Sequence, residues 1–270
     1  MLDTSDETEF LLRELDDYGV LRLTLNDLKQ RNALSENMLV LLKEAFTAAS
    51  DDKAVRVIVL AANGSVFCAG HNLKELSAGR DKDDRGRAYF TKIMTMCSEL
   101  MQAIVNCSKP VIAEVEGVAT AAGCQLVASC DLAIASDQAM FSTPGVHIGL
   151  FCSTPMVALS RNTATKHAME MLLTGDMISA ERAAVIGLVN RAVPPADLRN
   201  ATMDLAGKIA SKSSMTLATG KRAFYQQVEM PLNQAYEYAS KVMVENMVAY
   251  DAKEGISAFV EKRSPTWRDK

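Results

Sequence analysis

Residues 55 to 61 read VRVIVLA, a nearly continuous apolar run with a single charge. A strand with one wet face alternates apolar and polar residues. A run like this one is what a strand covered on both faces requires. The segments around it repeat one order. VLRLTL at 20–25 alternates like a strand, and Ser35 then opens an amphipathic helix whose apolar positions are Met38, Leu39, Leu42, Ala45, Phe46 and Ala49. Asn63-Gly64 breaks the apolar run. In VFCAGHNLKEL at 66–76, Asn72 followed by Glu75 marks a helix start of capping-box type. A helix is expected over about 86–106, a strand over 110–115, a helix opening in TAAGCQLVASC at 120–130, and a strand at 131–136. Strand, tight turn, helix and strand in repetition predict an α/β architecture with parallel pairing. No sequence repeat accompanies it.

The chain has 270 residues, enough for one large domain or one domain with a smaller appendage. Its formal net charge of −4 argues against a nucleic-acid partner, which needs a basic field. The densest charged stretch, residues 80–85, mixes signs and reads as a solvated loop. Six cysteines at 68, 97, 107, 124, 130 and 152 fit no CxxC or zinc spacing, and several lie in apolar runs. This points to a reducing compartment. The three histidines His71, His147 and His167 are too scattered for a His-rich metal site, so no metal is expected. MLDTSDETEF at the start is acidic, unlike a signal or Arg-rich transit peptide, and no apolar stretch approaches the roughly 18 residues of a membrane span. The expectation is a cytoplasmic protein, or a mitochondrial-matrix one if a presequence has been removed, with no membrane partner.

Pro194-Pro195 marks a boundary. Residues 196–262 read almost wholly helical, with Leu232, Ala235, Tyr236, Ala239, Val242, Met243 and Met247 forming one apolar stripe. The stripe must pack on something. Periodicity does not choose between this chain's core and a neighbouring subunit.

Two segments share a design. Phe67-Cys68-Ala69-Gly70-His71-Asn72 and Thr120-Ala121-Ala122-Gly123-Cys124-Gln125 each place a turn of small residues between a buried-type strand and a helix start. Small residues let a ligand approach the backbone, and a helix start offers unpaired N–H groups at the positive end of its dipole. Two such ends aimed at one point would bind an oxyanion. Spacing alone leaves two ordinary structural turns as the other reading.

Taken together and in order, RNALS at 31–35, FCAGHNLKEL, KPVIAEVEGVATAAGCQL, CDLAIAS and LLTGDMISAERAAVIGLVNRAV resemble the enoyl-CoA hydratase/isomerase (crotonase) superfamily over roughly residues 15–265. AAGCQLVASCD with TPGV and GLFCSTP is similar to one subgroup, the enoyl-CoA hydratase domain-containing protein 3 type. The resemblance implies a crotonase-type spiral of ββα units over 1–195, binding acyl-CoA, and a helical C-terminal trimerisation segment over 196–270. It implies a homotrimer or a dimer of trimers, and a coenzyme A thioester as substrate rather than any cofactor. By the same resemblance the backbone N–H groups of His71 and Ala122 hold the thioester oxygen. Coenzyme A would enter along Arg31, Asn32 and Ala33, with Ala69 and Leu73 near the pantetheine, and Gly70 would be a further substrate-binding position. Gly123, Cys152 and Ser153 would line the pocket, and Phe259 and Lys262 would reach over the nucleotide, often from a neighbouring subunit. Arg31 and Lys262 would neutralise phosphates.

The chain departs from the family where the chemistry is done. Hydration of an enoyl thioester typically uses two glutamates; the matching positions here are Gln125 and Gly145. Glutamine exchanges no proton at neutral pH, and each positioned acid or base typically contributes about 10²–10⁴ in rate. The position of a further family acid is Ser153. Glu114 and Glu116 precede the second turn without a family role. His71 or His147 as a base, and Cys124, Cys152 or Ser153 as a nucleophile, are weighed against plain structural or pocket-lining roles. Three readings follow: an acyl-CoA enzyme with an atypical proton path, a residual enoyl-CoA hydratase, and a non-catalytic acyl-CoA binder or assembly partner.

Overall fold

The structure, a computed structural model, describes residues 9–81 and 83–270. The acidic start and Lys82 of the charged stretch lie outside the described residues. In chain order the elements are β1 (Leu11–Leu15), β2 (Val20–Leu25), α1 (Glu36–Asp51), β3 (Val57–Ala62), β4 (Val66–Cys68), α2 (Leu73–Arg80), α3 (Arg87–Asn106), β5 (Val111–Val115), β6 (Val118–Thr120), α4 (Ala122–Ser129), β7 (Leu132–Ser136) and β8 (Met140–Ser142). Then follow α5 (Pro155–Asn162), α6 (Thr165–Thr174), β9 (Ile178–Ser179), α7 (Ala180–Val185), β10 (Arg191–Val193), α8 (Pro195–Ala210), α9 (Ser214–Gln227), α10 (Leu232–Val248) and α11 (Tyr250–Val260).

Among the described residues there are two sheets. The larger has the order β1-β2-β3-β5-β7-β10, parallel throughout except for the antiparallel β1-β2 edge. The smaller has the order β4-β6-β8-β9, with β4, β6 and β8 parallel. The chain alternates between them: β3 then β4 and a helix, β5 then β6 and a helix, β7 then β8 and a helix. This is a spiral of ββα units.

The apolar run at 55–61 is explained by what covers β3. Ile58 and Leu60 point into the main core with Leu39, Leu42 and Phe46 of α1 and Leu100 of α3. Val57 and Val59 point the other way, against Ala206 and Ala210 of α8. Burying a side chain of this size contributes about 1.5–3 kcal/mol, so polarity on either face would be costly. On the α8 side a buried bidentate ion pair joins Arg22 of β2 to Glu114 of β5 at 2.5 and 3.1 Å.

All six apolar positions read for α1 are buried, and the Ser35 hydroxyl accepts the Met38 N–H as its N-cap. The second helix start differs in detail from the sequence expectation. The Asn72 side chain caps α2 by accepting from the Lys74 and Glu75 N–H groups. Glu75 does not close the box on the Asn72 backbone. Its carboxylate takes the Asn72 side-chain amide and the N–H of Glu36, tying α2 to α1.

The C-terminal helices bury little of their own. None of α9 is buried, only Ala235 of α10, and only Asp251 and Ala258 of α11. Polar contacts dock them instead. Lys221 on α9 bonds the Asp131 carboxylate at 2.7 Å and the carbonyls of Ile104 and Lys109, while the Tyr225 hydroxyl donates to Asp131 at 2.8 Å. The tail after α11 folds back: Asp251 accepts the N–H groups of Arg268 and Asp269, and the Trp267 indole donates to Ser211. The apolar stripe on α10 is therefore not core in this chain. Leu232, Tyr236, Met243 and Met247 are 58–74% exposed.

Candidate active site

Parallel neighbours deliver their following loops to one edge. Because β4, β6 and β8 are adjacent and parallel, the segments after them, 69–72, 120–122 and 143–145, emerge side by side at the C-terminal ends of the strands. This is the usual ligand edge of a parallel sheet. The contacts are close. A Cβ built on Gly70 would stand 2.9 Å from Ala121 Cβ, 3.1 Å from Thr120 O and 3.4 Å from Ala122 N. Gly70 also has φ +90°, so this position demands glycine twice over. Thr120 Oγ1 donates to Ala69 O at 3.1 Å, pinning the loops together. Gly123 lets α4 start directly on β4, since a Cβ there would lie 2.1 Å from Cys68 O.

His71 lies in the loop before α2, and Ala122 is the first residue of α4, whose N–H has no intrahelical acceptor. Among the described residues neither amide is paired. Ala121, just before α4, holds φ +50° and ψ −118°, a conformation costing an L residue of order 1–3 kcal/mol. Its N–H is held by Ser142 O of β8 at 2.9 Å. The strain sits at the turn that aims the Ala122 amide.

A third segment runs beside the first loop. Leu34 N–H donates to Gly70 O at 2.8 Å and Ala69 N–H to Arg31 O at 3.2 Å, so Arg31 and Leu34, with Ala33 between them, pair with Ala69 and Gly70 in one strip. Asn32 is buried at φ +53°. Its amide donates to Asn63 O and Val66 O, and its Oδ1 accepts the Asp27 N–H. It is fully engaged in holding the strip. Leu73 is exposed beside it, and Arg31 points to solvent.

Gln125 sits one helical turn after Ala122 on the same face of α4 and is 4% exposed. Its Oε1 lies 4.0 Å from Cys97 Sγ of α3, and its Nε2 has no protein partner. Gly145 is buried. The space where a glutamate would start is filled: a Cβ on Gly145 would meet Leu150 O at 2.8 Å and Cys152 Sγ at 2.9 Å. The short turn Pro144–Ile148, ended by Gly149 at φ +74°, returns the chain so that Leu150 N–H donates to Gly145 O.

Titratable groups near the loops favour their neutral forms. Burial pushes the thiols of Cys97 and Cys124 up to about 12 and raises Cys152, opposed there by a backbone contact from Gly145. Burial lowers the His71 imidazole below its ordinary range, partly offset by the nearby Leu34 backbone; neither ring nitrogen reaches hydrogen-bond geometry. His147 turns away toward Gly175, and Ser153 is exposed with its hydroxyl on Phe151 O. Glu114 faces α8, and Glu116 is exposed. Phe259 is 85% exposed at the end of α11, which packs on α10, and Lys262 follows it, also exposed. Sequence reasoning missed the strained Ala121 and the filled space at 145, which arise from loop returns without a local pattern.

The chain belongs to the enoyl-CoA hydratase/isomerase family, whose sequence model matches residues 16–270. It is 48% identical over 251 residues to the enoyl-CoA hydratase domain-containing protein 3, mitochondrial, of Xenopus laevis, covering 93% of this chain and 84% of that protein. It is 47% identical over 255 residues to the human protein of the same name, covering 94% and 82%. Among solved structures it resembles an enoyl-CoA hydratase of Mycobacterium smegmatis, with TM-score 0.92, 49% identity, and 96% and 99% of the two chains covered. The crystal structure of the human domain-containing protein 3 superposes with TM-score 0.91 at 46% identity, covering 96% and 100%. The Xenopus and human relatives carry the name of the subgroup that the AAGCQLVASCD pattern resembles.

Proposed function

We propose that the protein binds an acyl-CoA thioester with its carbonyl oxygen between the N–H groups of His71 and Ala122, stabilises the enolate, and is a poor hydratase. The observation that supports this is a pair of unpaired amides on neighbouring loops that follow adjacent parallel strands and touch at Gly70 and Ala121, with Gln125 rather than a carboxylate one turn away. Two preorganised donors stabilise developing negative charge, each typically contributing about 10²–10³ in rate. Proton transfer at C2 and C3 is the missing half: Gln125 has no ionisable proton, and the space at Gly145 is closed. Crotonyl-CoA hydration on the purified protein tests this. Very slow turnover with intact acyl-CoA binding is expected, and turnover equal to an ordinary hydratase would refute it. The same missing carboxylates favour a second reading, a non-catalytic acyl-CoA binder. Binding without product across a broad panel of thioesters would select it.

Acyl-CoA binding is assigned to residues 1–195, with Arg31, Ala33, Ala69, Leu73, Cys152 and Ser153 along the ligand. Residues 196–270 are assigned to association into a homotrimer or dimer of trimers, supported by the exposed apolar stripe on α10. In that assembly Phe259 and Lys262 would serve a neighbour's nucleotide. The word mitochondrial in the relatives' names supports the mitochondrial alternative over the cytoplasmic one.

A further inference from the structure

The sequence contains a single Asn-Gly pair, Asn63-Gly64, at the point where the apolar run of β3 ends. The pair opens the exposed turn between β3 and β4, with Gly64 at φ +85°. An asparagine followed by glycine is open to attack by the next backbone nitrogen, because glycine has no Cβ to shield it. Here that nitrogen is free: among the described residues the Gly64 N–H has no hydrogen-bond acceptor. The Asn63 side chain is held by one exposed contact, its Nδ2 donating to Asn26 Oδ1 at 3.0 Å.

The same turn is clamped from below. The buried Asn32 amide donates to Asn63 O at 2.9 Å and to Val66 O at 2.8 Å, the carbonyls on either side of Gly64-Ser65. Asn32 is 0% exposed at φ +53°, between Arg31 and Ala33 of the strip that pairs with Ala69 and Gly70. A buried amide that loses an acceptor finds no water in its place. The seating of the strip therefore depends on the spacing of two carbonyls in an exposed, chemically labile turn.

We propose that Asn63-Gly64 is a self-modification site, and that its conversion to isoaspartate loosens the strip. Gly64 N attacks the carbonyl carbon of the Asn63 side chain, and a C–N bond forms. The side-chain amide C–N bond breaks, and ammonia leaves with the proton given up by Gly64 N. Water then opens the succinimide ring at its main-chain carbonyl. The backbone now runs through the former side chain, and the former main-chain carbonyl is a carboxylate. The net change is asparagine plus water giving isoaspartate plus ammonia. The chain between the two clamp points has gained one carbon. If the new carboxylate keeps Asn32, the chain leaves on the Asn26 side and displaces Val66 O. If the chain keeps its path, Asn32 loses its first acceptor. One of the two bonds is lost either way. A consequence for ligand binding rests on the acyl-CoA reading above; the modification and the loosening do not.

The test ages the full-length protein in mildly alkaline buffer beside Asn63→Gln and Asn63→Ser, neither of which forms a succinimide. Peptide mapping by mass spectrometry locates the products. Hydrogen exchange at the Leu34 and Ala69 amides, bonded to Gly70 O and Arg31 O, reads the strip without any ligand. Calorimetry with acetyl-CoA reads binding. In aged wild type, isoaspartate is expected at 63 ahead of every other asparagine. Exchange at both amides should be about tenfold faster and acetyl-CoA affinity about tenfold weaker, the effect of losing one buried hydrogen bond. Both aged variants should keep their fresh values. An unmodified Asn63 in the folded protein overturns the proposal; modification of the urea-unfolded chain alone would show that the Asn26 contact shields it. Modification with exchange unchanged overturns it too, as does an equal change in the aged variants. Faster exchange with affinity unchanged overturns the link to the ligand. If fresh protein fails to bind acetyl-CoA, the acyl-CoA reading falls, and exchange still decides whether the modification loosens the strip.

Discussion

Gly145→Ala is a small change that the structure does not accommodate. The added Cβ would lie 2.8 Å from Leu150 O, 2.9 Å from Cys152 Sγ and 3.4 Å from Cys152 N. Two of these atoms are backbone. Leu150 cannot simply retreat, because its N–H donates to Gly145 O at 2.9 Å. Overpacking of this kind costs about 1–3 kcal/mol. For domains of 150–250 residues each kcal/mol moves the melting temperature by about 2–4 °C, so a chain of 270 residues should lose roughly 2–10 °C. Calorimetry at matched protein concentration measures this. Gly145→Glu adds a buried charge and should lose more. It follows that Gln125→Glu with Gly145→Glu does not rebuild a two-carboxylate hydratase, whatever a sequence comparison suggests. Gln125→Glu alone, nearly isosteric, should keep the fold. A Gly145→Ala protein melting with wild type, together with a Gly145→Glu protein gaining 10²–10⁴ in crotonyl-CoA hydration, would refute this reasoning.

Ala121→Gly removes a strain of order 1–3 kcal/mol at φ +50° and adds about 0.5–1 kcal/mol of chain entropy lost on folding. It should melt no lower than wild type and up to a few degrees higher; a clear drop would contradict the strain. Lys221→Met leaves the Asp131 carboxylate buried with one fewer cation, the side chains being 8% and 16% exposed. Breaking such a pair costs about 3–5 kcal/mol, read as a lower urea midpoint and faster hydrogen exchange in α9. The buried imidazole of His71 gives a pH test. Its folded pKa lies below the ordinary 6.5, so the unfolded chain binds the proton more readily. Stability should fall as pH drops from about 6.5 toward the folded pKa and level off below it. The difference in melting temperature between wild type and His71→Gln should change with pH across that window and nowhere above it.

Much of the larger sheet could be read from the residues. The apolar run at 55–61 announced a strand covered on both faces, and Ile58 and Val59 do point into two different cores. The six apolar positions of α1 are all buried because a long helix carries its periodicity in many residues. The small sheet was less legible. Strands β4, β6 and β8 have three residues each, too few for a period, and exist because the spiral stacks them. The two small-residue turns are visible within 67–72 and 120–125, but their meeting at Gly70 and Ala121 depends on pairing across about 50 residues. The closure over Gly145 comes from a loop returning through Leu150 and Cys152, and no local signal encodes it. The α10 stripe was read as apolar without a destination, since periodicity reports that a face needs covering and not by what.

The central claim is that the His71 and Ala122 amides grip the thioester oxygen. Difference infrared spectroscopy of bound acetyl-CoA labelled with ¹³C at its carbonyl measures that grip directly. The carbonyl band should move to lower frequency in the wild-type complex and return toward its solution position in Gly70→Ala, whose Cβ would press on Ala121. A bound carbonyl that stays at its solution frequency in the wild-type protein would contradict the account.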